Sequence, residues 1–235
     1  MRKTFMLIHG AWHGGWCWRR VADLLEAKGH KVYTPTLTGL ADRSHLLSKE
    51  INLDTHIADI VNLFTWEDLT DVCLVPHSYG GWPASGALEQ ISGRVSAIVW
   101  LDAFKPEDGQ RGADLASSFS KETFEHAMAR GEAGRAPPPA TAFGVNAKDL
   151  DWVSGKLTRQ PNGVVLQPIR LTGARETIAK KTYIRAPKYP QPRLDRALNE
   201  CQADPSWTTY VTEDTHHDVM IDAPEWLADV LVRHS

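Results

Sequence analysis

A serine hydroxyl attacks carbonyl carbon at useful rates only when a base takes its proton and a carboxylate orients the base. Ser78 stands in Pro76-His77-Ser78-Tyr79-Gly80-Gly81, between a short apolar run and a helical pattern. A serine at such a strand-to-helix turn is pushed out beyond the sheet, where its Oγ can react. Gly80, two places on, lets the turn close without a Cβ clash. Pro76 stands where the G-x-S-x-G pattern has its first glycine. Proline can end a strand, and Pro83 falls in the first helical turn, where no donor is lost. The plainer alternative for Ser78 is a helix N-cap. The base is expected after the last strand, where Thr215-His216-His217-Asp218 offers two histidines. A tetrahedral intermediate also needs two preorganised backbone donors. The amide of Tyr79 is one candidate. Ala11 is the other, in His9-Gly10-Ala11-Trp12, where Gly10 permits a close backbone approach. His9 and His13 lie in a glycine-rich stretch without a carboxylate motif, so no metal site is expected. No glycine loop has phosphate or dinucleotide spacing, so no cofactor is expected either.

Those residues need elements to hold them. Short apolar runs alternate with helical periods through the first hundred residues, the pattern of a parallel sheet with crossover helices. Strands are predicted at 4–9, 31–35, 71–76, 95–102, 181–186 and 207–212. Helices are predicted from Trp18 to Gly29, at 53–66, 82–91 and 193–202, and at 223–233 as the closing element. Ser78 then follows the third strand, and the two histidines follow the sixth. The rhythm breaks after Phe104, and 105–180 reads as a small cap inserted after the fourth strand. Within it, Pro137-Pro138-Pro139 reads as a stiff connector. The core is expected to be 1–104 and 181–235, a single domain overall.

The chain has 235 residues, 42% of them hydrophobic and 23% charged, which suits one globular domain with a sizeable core. A net charge of −3 leaves no basic surplus for a nucleic-acid partner. The apolar stretch at the start is too short for a membrane span, so no membrane partner is expected. Cys17, Cys73 and Cys201 are odd in number and widely spaced, which suits neither a disulfide framework nor a zinc knuckle. A reducing, cytoplasmic setting is the expectation. Nine tryptophans, several near glycines and histidines, point to an aromatic-lined cavity as well as to core packing. Gly10, Trp12, Trp82 and Trp152 are the expected substrate-binding residues. Trp16, Phe119, Phe124 and Phe143 are further aromatics for that wall. Arg43 and His45 sit in a loop that reads either as an approach to a polar substrate group or as a solvated loop.

The segments Leu7-Ile8-His9-Gly10-Ala11-Trp12-His13-Gly14-Gly15-Trp16, Leu24 to Val32, His77-Ser78-Tyr79-Gly80-Gly81 and the stretch from His217 to Pro224 resemble the α/β-hydrolase superfamily. Within it they are most similar to the plant methylesterase and hydroxynitrile lyase group and its bacterial esterase relatives. The resemblance implies the α/β-hydrolase fold, a mostly parallel six-stranded sheet flanked by helices. It also implies Ser78 as nucleophile, His217 rather than His216 as base, and Ala11 as oxyanion donor. The relatives place an aspartate in the loop after the penultimate strand. Here that loop is Pro187-Lys188-Tyr189-Pro190-Gln191-Pro192, without a carboxylate. Asp102, ending the fourth strand, is the expected substitute, as in superfamily members that look similar in using an acid there. Glu107, Asp108 and Asp214 are the fallbacks. The activity implied is hydrolysis of small apolar or aromatic carboxylic esters through an acyl-enzyme. Cyanohydrin-cleaving lyases of the rubber-tree type resemble the chain but carry threonine in place of Gly10 and lysine in place of Asp218. A ligand-binding receptor on the same fold is the second rival. Relatives with this cap look dimeric, which allows a homodimer.

Overall fold

The computed structural model describes residues 2–115 and 121–235. The chain runs through β1 (Thr4–Ile8), α1 (Arg19–Ala27), β2 (Lys31–Tyr33), α2 (Leu53–Trp66), β3 (Val72–Pro76), α3 (Gly81–Ile91) and β4 (Val95–Leu101). It then leaves the sheet through α4 (Lys121–Ala129), β5 (Gly134–Arg135), α5 (Leu150–Ser154), β6 (Gln160–Pro161) and α6 (Gly163–Leu166). It returns in β7 (Lys180–Arg185), followed by α7 (Pro192–Ala203), β8 (Trp207–Val211), α8 (Val219–Asp222) and α9 (Pro224–His234). The expected strands and helices begin and end within two residues of these bounds.

Six strands pair in the order β2-β1-β3-β4-β7-β8, every neighbouring pair parallel. Alternation along each strand assigns side chains to two cores. Met6, Ile8, Leu74, Ile98 and Trp100 join a cluster with α2, α3 and α7. Phe5, Leu7, Cys73, Val75 and Val99 join another with α1 and α9. Both faces are covered, which is why the central strands read as unbroken apolar runs. Each fully buried aliphatic side chain contributes about 1.5–3 kcal/mol. Only the edge strands β2 and β8 keep substantial exposure.

Local chemistry sets the helix bounds. Asn52 caps α2, accepting from the Thr55 amide, while the Thr55 side chain accepts from the Asn52 amide. Pro192 and Pro224 occupy first-turn positions of α7 and α9, where no backbone donor is lost. Residues between β4 and β7 have a two-strand antiparallel pair, β5 with β6. Pro139 is extended at φ −60°, ψ 146°, consistent with a stiff proline run. The buried side chains of this segment join the two sheet clusters: Val164 and Ile169 the first, Phe143 and Val153 the second. Among the described residues no helix is long and apolar enough to cross a membrane.

The strand order reverses at β1, since the chain goes to one side for β2 and to the other for β3. A crevice opens outside the carboxyl ends of two such strands. The loop from His9 and the turn at Ser78 both start there.

Candidate active site

Ser78 follows β3 with φ 51°, a left-handed conformation that costs a non-glycine residue about 1–3 kcal/mol. The surrounding bonds hold it. The His77 amide donates to Ile8 O at 2.9 Å, and the Gly80 amide donates to His77 O at 2.7 Å. A Cβ on Gly80 would stand 2.8 Å from His9 O and 2.9 Å from Ile8 O, so the turn closes only on glycine. Pro76 pairs with Ile8 at the end of β3 and leaves the turn intact. The Ser78 hydroxyl donates to His217 Nε2 at 2.8 Å, and His217 Nδ1 donates to Asp102 Oδ2 at 2.7 Å. Asp102 directly follows β4 with φ 43°, its amide bonded to Ile184 O at 2.7 Å.

A fully buried carboxylate needs partners. Asp102 Oδ1 accepts from the Ala186 amide at 3.1 Å and from Arg185 Nη1 at 2.8 Å, which leaves Oδ2 for the imidazole. Arg185, itself buried, also donates to Ala186 O, Tyr189 O and Asp195. One guanidinium thus ties the end of β7, the following loop and Asp102 together.

A second buried network sits beneath. His9 donates from Nδ1 to Gly10 O at 2.8 Å and accepts the Leu37 amide on Nε2 at 3.0 Å, so it is neutral; burial pulls its pKa to about 3. His13 offers Nδ1 to Ala11 O at 2.8 Å and Nε2 to Asp218 Oδ2 at 3.2 Å. Both partners are acceptors, which demands the imidazolium. Burial alone would lower the His13 pKa, but the Asp218 charge and hydrogen bond raise it above the ordinary 6.5. Burial alone would raise Asp218, and His13 more than offsets it, bringing the carboxyl to about 2. His77 Nε2 donates to His217 O at 3.0 Å; burial, then the neighbouring His217, hold it neutral, well below its ordinary value.

The carbonyls of Gly10 and Ala11 are therefore both pinned by histidines, and the Trp12 amide by Gln160 Oε1 at 2.8 Å. The Ala11 N–H has no hydrogen-bond partner among the described residues. Trp12 pays for the tight turn with φ 63°. Tyr79 is fixed by its hydroxyl, which donates to His56 Nδ1 at 2.9 Å. Burial keeps that histidine neutral, with a pKa lowered to about 4.

Ser78 and His217 open onto a cavity of about 320 Å³ whose walls include Gly10, Ala11, Trp12, Tyr79 and Trp82. Phe104, Arg135, Phe143, Val165 and Tyr189 complete much of the rest. Trp152 is a correction: it lies outside this wall, edge-on to Trp16 with centroids 5.2 Å apart and 5.1 Å beneath the Arg20 guanidinium. The short α5 turns Val153 into the core and leaves Trp152 to cover the α1 side. Trp16 is likewise outside, Phe124 is buried next to Arg135, and Phe119 lies outside the described residues. His216 packs against Gly144 instead of Ser78. Arg43 is committed to Asp59 and Thr36 O, and His45 is exposed. Glu107 and Asp214 pair on the surface with Arg196 and Lys188, while Asp108 accepts from the Leu171 amide.

Arg185, Tyr189 and Arg135 are among the site residues that escaped the sequence reading. Arg185 had a signal, since a charged residue ending the apolar run Thr182-Tyr183-Ile184 needs a buried partner. Tyr189 stacks on His217 at 4.1 Å from the very loop that lacks a carboxylate. Arg135 carried no signal, because its neighbours show no periodicity.

A family model described as the alpha/beta hydrolase family matches residues 5–230. The chain belongs to that family. As an α/β hydrolase it is 34% identical over 97% of its length, and 98% of the relative's, to a carbendazim-hydrolyzing esterase from Nocardioides sp. (strain SG-4G). It is 31% identical to methylesterase 2 of Arabidopsis thaliana, over 54% of this chain and 47% of that one. In structure it is similar to an extracellular α/β hydrolase from a Paenibacillus species, described as sharing structural and functional homology with tobacco salicylic acid-binding protein 2. That likeness has a TM-score of 0.83 and 23% identity over 99% of both chains, and it speaks to the fold alone.

Proposed function

We propose that the protein is a serine carboxylic ester hydrolase, with Ser78 as nucleophile, His217 as general base and acid, and Asp102 as the carboxylate that orients the imidazole. The observation that carries the reading is the unbroken relay Ser78 Oγ to His217 Nε2 to Asp102 Oδ2, at 2.8 and 2.7 Å, at the edge of an aromatic-walled cavity. Ser78 Oγ attacks the ester carbonyl as His217 takes its proton, and the amides of Ala11 and Tyr79 receive the developing oxyanion. Collapse expels the alcohol with the proton returned by His217. Water, activated by the same imidazole, then releases the acid from the acyl-enzyme. Asp102 holds the Nδ1–H tautomer and stabilises the imidazolium. The esterase names of two relatives support the same reading.

Two observations weigh against cyanohydrin cleavage of the rubber-tree type. A Cβ at Gly10 would stand 2.9 Å from His77 Nδ1 and 3.0 Å from Ser78 Cβ, which leaves no room for a threonine. Asp218, where those lyases carry lysine, is anionic and would repel departing cyanide. The substrates inferred are small esters with apolar or aromatic parts, matched to Trp12, Trp82 and Phe143. Residues 105–180 are read as a cap on the core of 1–104 and 181–235, since Arg135, Phe143 and Val165 supply cavity wall. Cytoplasmic residence is inferred from three unpaired, buried cysteines.

The test is hydrolysis of a panel of p-nitrophenyl and aromatic methyl esters by the wild type beside Ser78→Ala. Turnover abolished by the substitution supports the reading. An ester rate untouched by it, or no turnover on any ester by folded protein, refutes it.

A further inference from the structure

Arg135 is a guanidinium in the cavity wall with no carboxylate partner among the described residues. Its central carbon lies 5.2 Å from the ring of Trp12 and 5.2 Å from that of Phe124. The rings stabilise the cation without using its N–H donors as hydrogen bonds would. Arginine has five such donors. Among the described residues a single contact, from Nη1 to Pro161 O at a long 3.4 Å, occupies one of them. Burial draws the guanidinium pKa down to about 10, which still leaves it fully charged at neutral pH. Arg135 is half-buried, so its charge is only partly hydrated, and a ligand that supplies the counter-ion recovers the cost of that partial desolvation. The other arginines near the site are spent. Arg185 is bonded to Asp102 and Asp195, and Arg20 to Asp149.

We propose that Arg135 is a specificity-determining residue that binds an anionic group on the substrate, so that the preferred esters carry a carboxylate or a comparable anion at the end distant from the scissile bond. The inference rests on the ester-hydrolase reading of Ser78. A planar guanidinium steadied by two rings offers a fork to a carboxylate, and the apolar cavity wall accepts the intervening methylenes or ring. Monoesters of dicarboxylic acids are the simplest members of this class.

The probes are mono-p-nitrophenyl glutarate and its near-isosteric neutral counterpart p-nitrophenyl pentanoate, with the succinate and adipate monoesters as a length series. Wild type is expected to favour the anionic ester in kcat/KM, chiefly through KM. Arg135→Met is expected to cut kcat/KM on the best anionic ester by roughly 10- to 100-fold, the size of charged hydrogen bonds lost, while pentanoate stays within about threefold. Arg135→Lys, which keeps the charge and loses the fork, should fall between them. Equal losses on both esters, or a wild-type preference for pentanoate, would overturn the proposal. Competitive inhibition of wild-type pentanoate hydrolysis by free glutarate needs no variant: inhibition stronger than by glutaramide supports it, and equal inhibition refutes it. These failures are distinct from that of the ester-hydrolase reading, in which neither ester would be turned over.

Discussion

The cavity has two kinds of wall, held by different forces. On one side Ser78 and Asp102 sit at the carboxyl ends of central parallel strands, at φ 51° and 43°, each locked by several buried hydrogen bonds. On the other side the residues between β4 and β7 rest on a strand pair only two residues long per strand and on helices of a few turns at most. Arg135 is steadied there mainly by aromatic faces. The groups proposed to react belong to a part of the molecule held by central strands and buried hydrogen bonds, which can sustain that strain. The recognising groups belong to a part where one side chain can change without disturbing the sheet. Changes on the first wall should therefore abolish chemistry, and changes on the second should redirect it or do little.

The sharpest break of that comparison is Asp102→Asn. Arg185 and the Ala186 amide would still hold Oδ1, so the geometry survives while the imidazole loses its anionic acceptor. A loss of about 10⁴ in kcat on p-nitrophenyl esters is expected, at a melting temperature close enough to wild type to show folded protein. Near-normal kcat would remove Asp102 from the relay. Gly10→Ala comes next. Its new Cβ meets His77 Nδ1 at 2.9 Å, so the Ala11 peptide must shift away from the proposed oxyanion position. Losing one such donor costs about 10²–10³ in kcat with KM little changed. A variant as active as wild type would show that this loop is less rigid than its two histidine clamps imply.

Acid should loosen the first wall before the second. His9, His56 and His77 are buried and neutral, with pKa values lowered to about 3, to about 4 and well below 6.5. Between those values and 6.5 the unfolded chain binds more protons than the folded one, so stability falls as pH falls. Each such histidine contributes a slope of about 1.4 kcal/mol per pH unit while that difference lasts. Asp218, lowered to about 2, adds stability above the ordinary carboxylate range that is lost as pH drops through it. His13, raised, loses its contribution only as pH climbs through its folded value. The melting temperature should drop steeply from pH 6.5 to 4, and His56→Gln should flatten the slope. A flat profile over that range would mean these histidines are hydrated in the folded protein.

The same contrast explains what could be read from the chain alone. Strands buried on both faces, such as 72–76 and 95–101, must be apolar throughout, and their turns need glycine where backbones meet, as at Gly80. Those demands are local and leave marks in the sequence. Asp102 could be singled out because the loop from Pro187 to Pro192 holds no carboxylate, and it lies 2.7 Å from His217 Nδ1. Arg185 was legible only as an anomaly, a charge at the end of a buried strand whose partner 83 residues away no local pattern reveals. Between β4 and β7 the elements are too short for periodicity, and their side chains complete cores built by distant residues. Trp152 was misplaced there, and Arg135 passed over, because which way a short helix or a two-residue strand turns is settled by tertiary contacts.

Trp152 gives the finest test of the two-wall picture. It lies within the segment that supplies cavity wall, yet its ring packs on Trp16 and under Arg20, on the side of α1. Trp152→Ala removes one edge-to-face pair and one cation–π contact, together roughly 1–2 kcal/mol. Arg20 stays in place through its bonds to Asp149 and Ile221 O. A melting temperature lower by a few degrees is therefore expected, with kcat/KM on neutral and anionic esters within about twofold of wild type. Trp12→Ala is the matched control, since Trp12 faces both the cavity and Arg135, and it should alter the preference between those esters. If Trp152→Ala changed the ester preference as much as Trp12→Ala does, the segment would be responding as one rigid piece. Recognition would then be spread through its packing instead of residing in the side chains that touch the cavity.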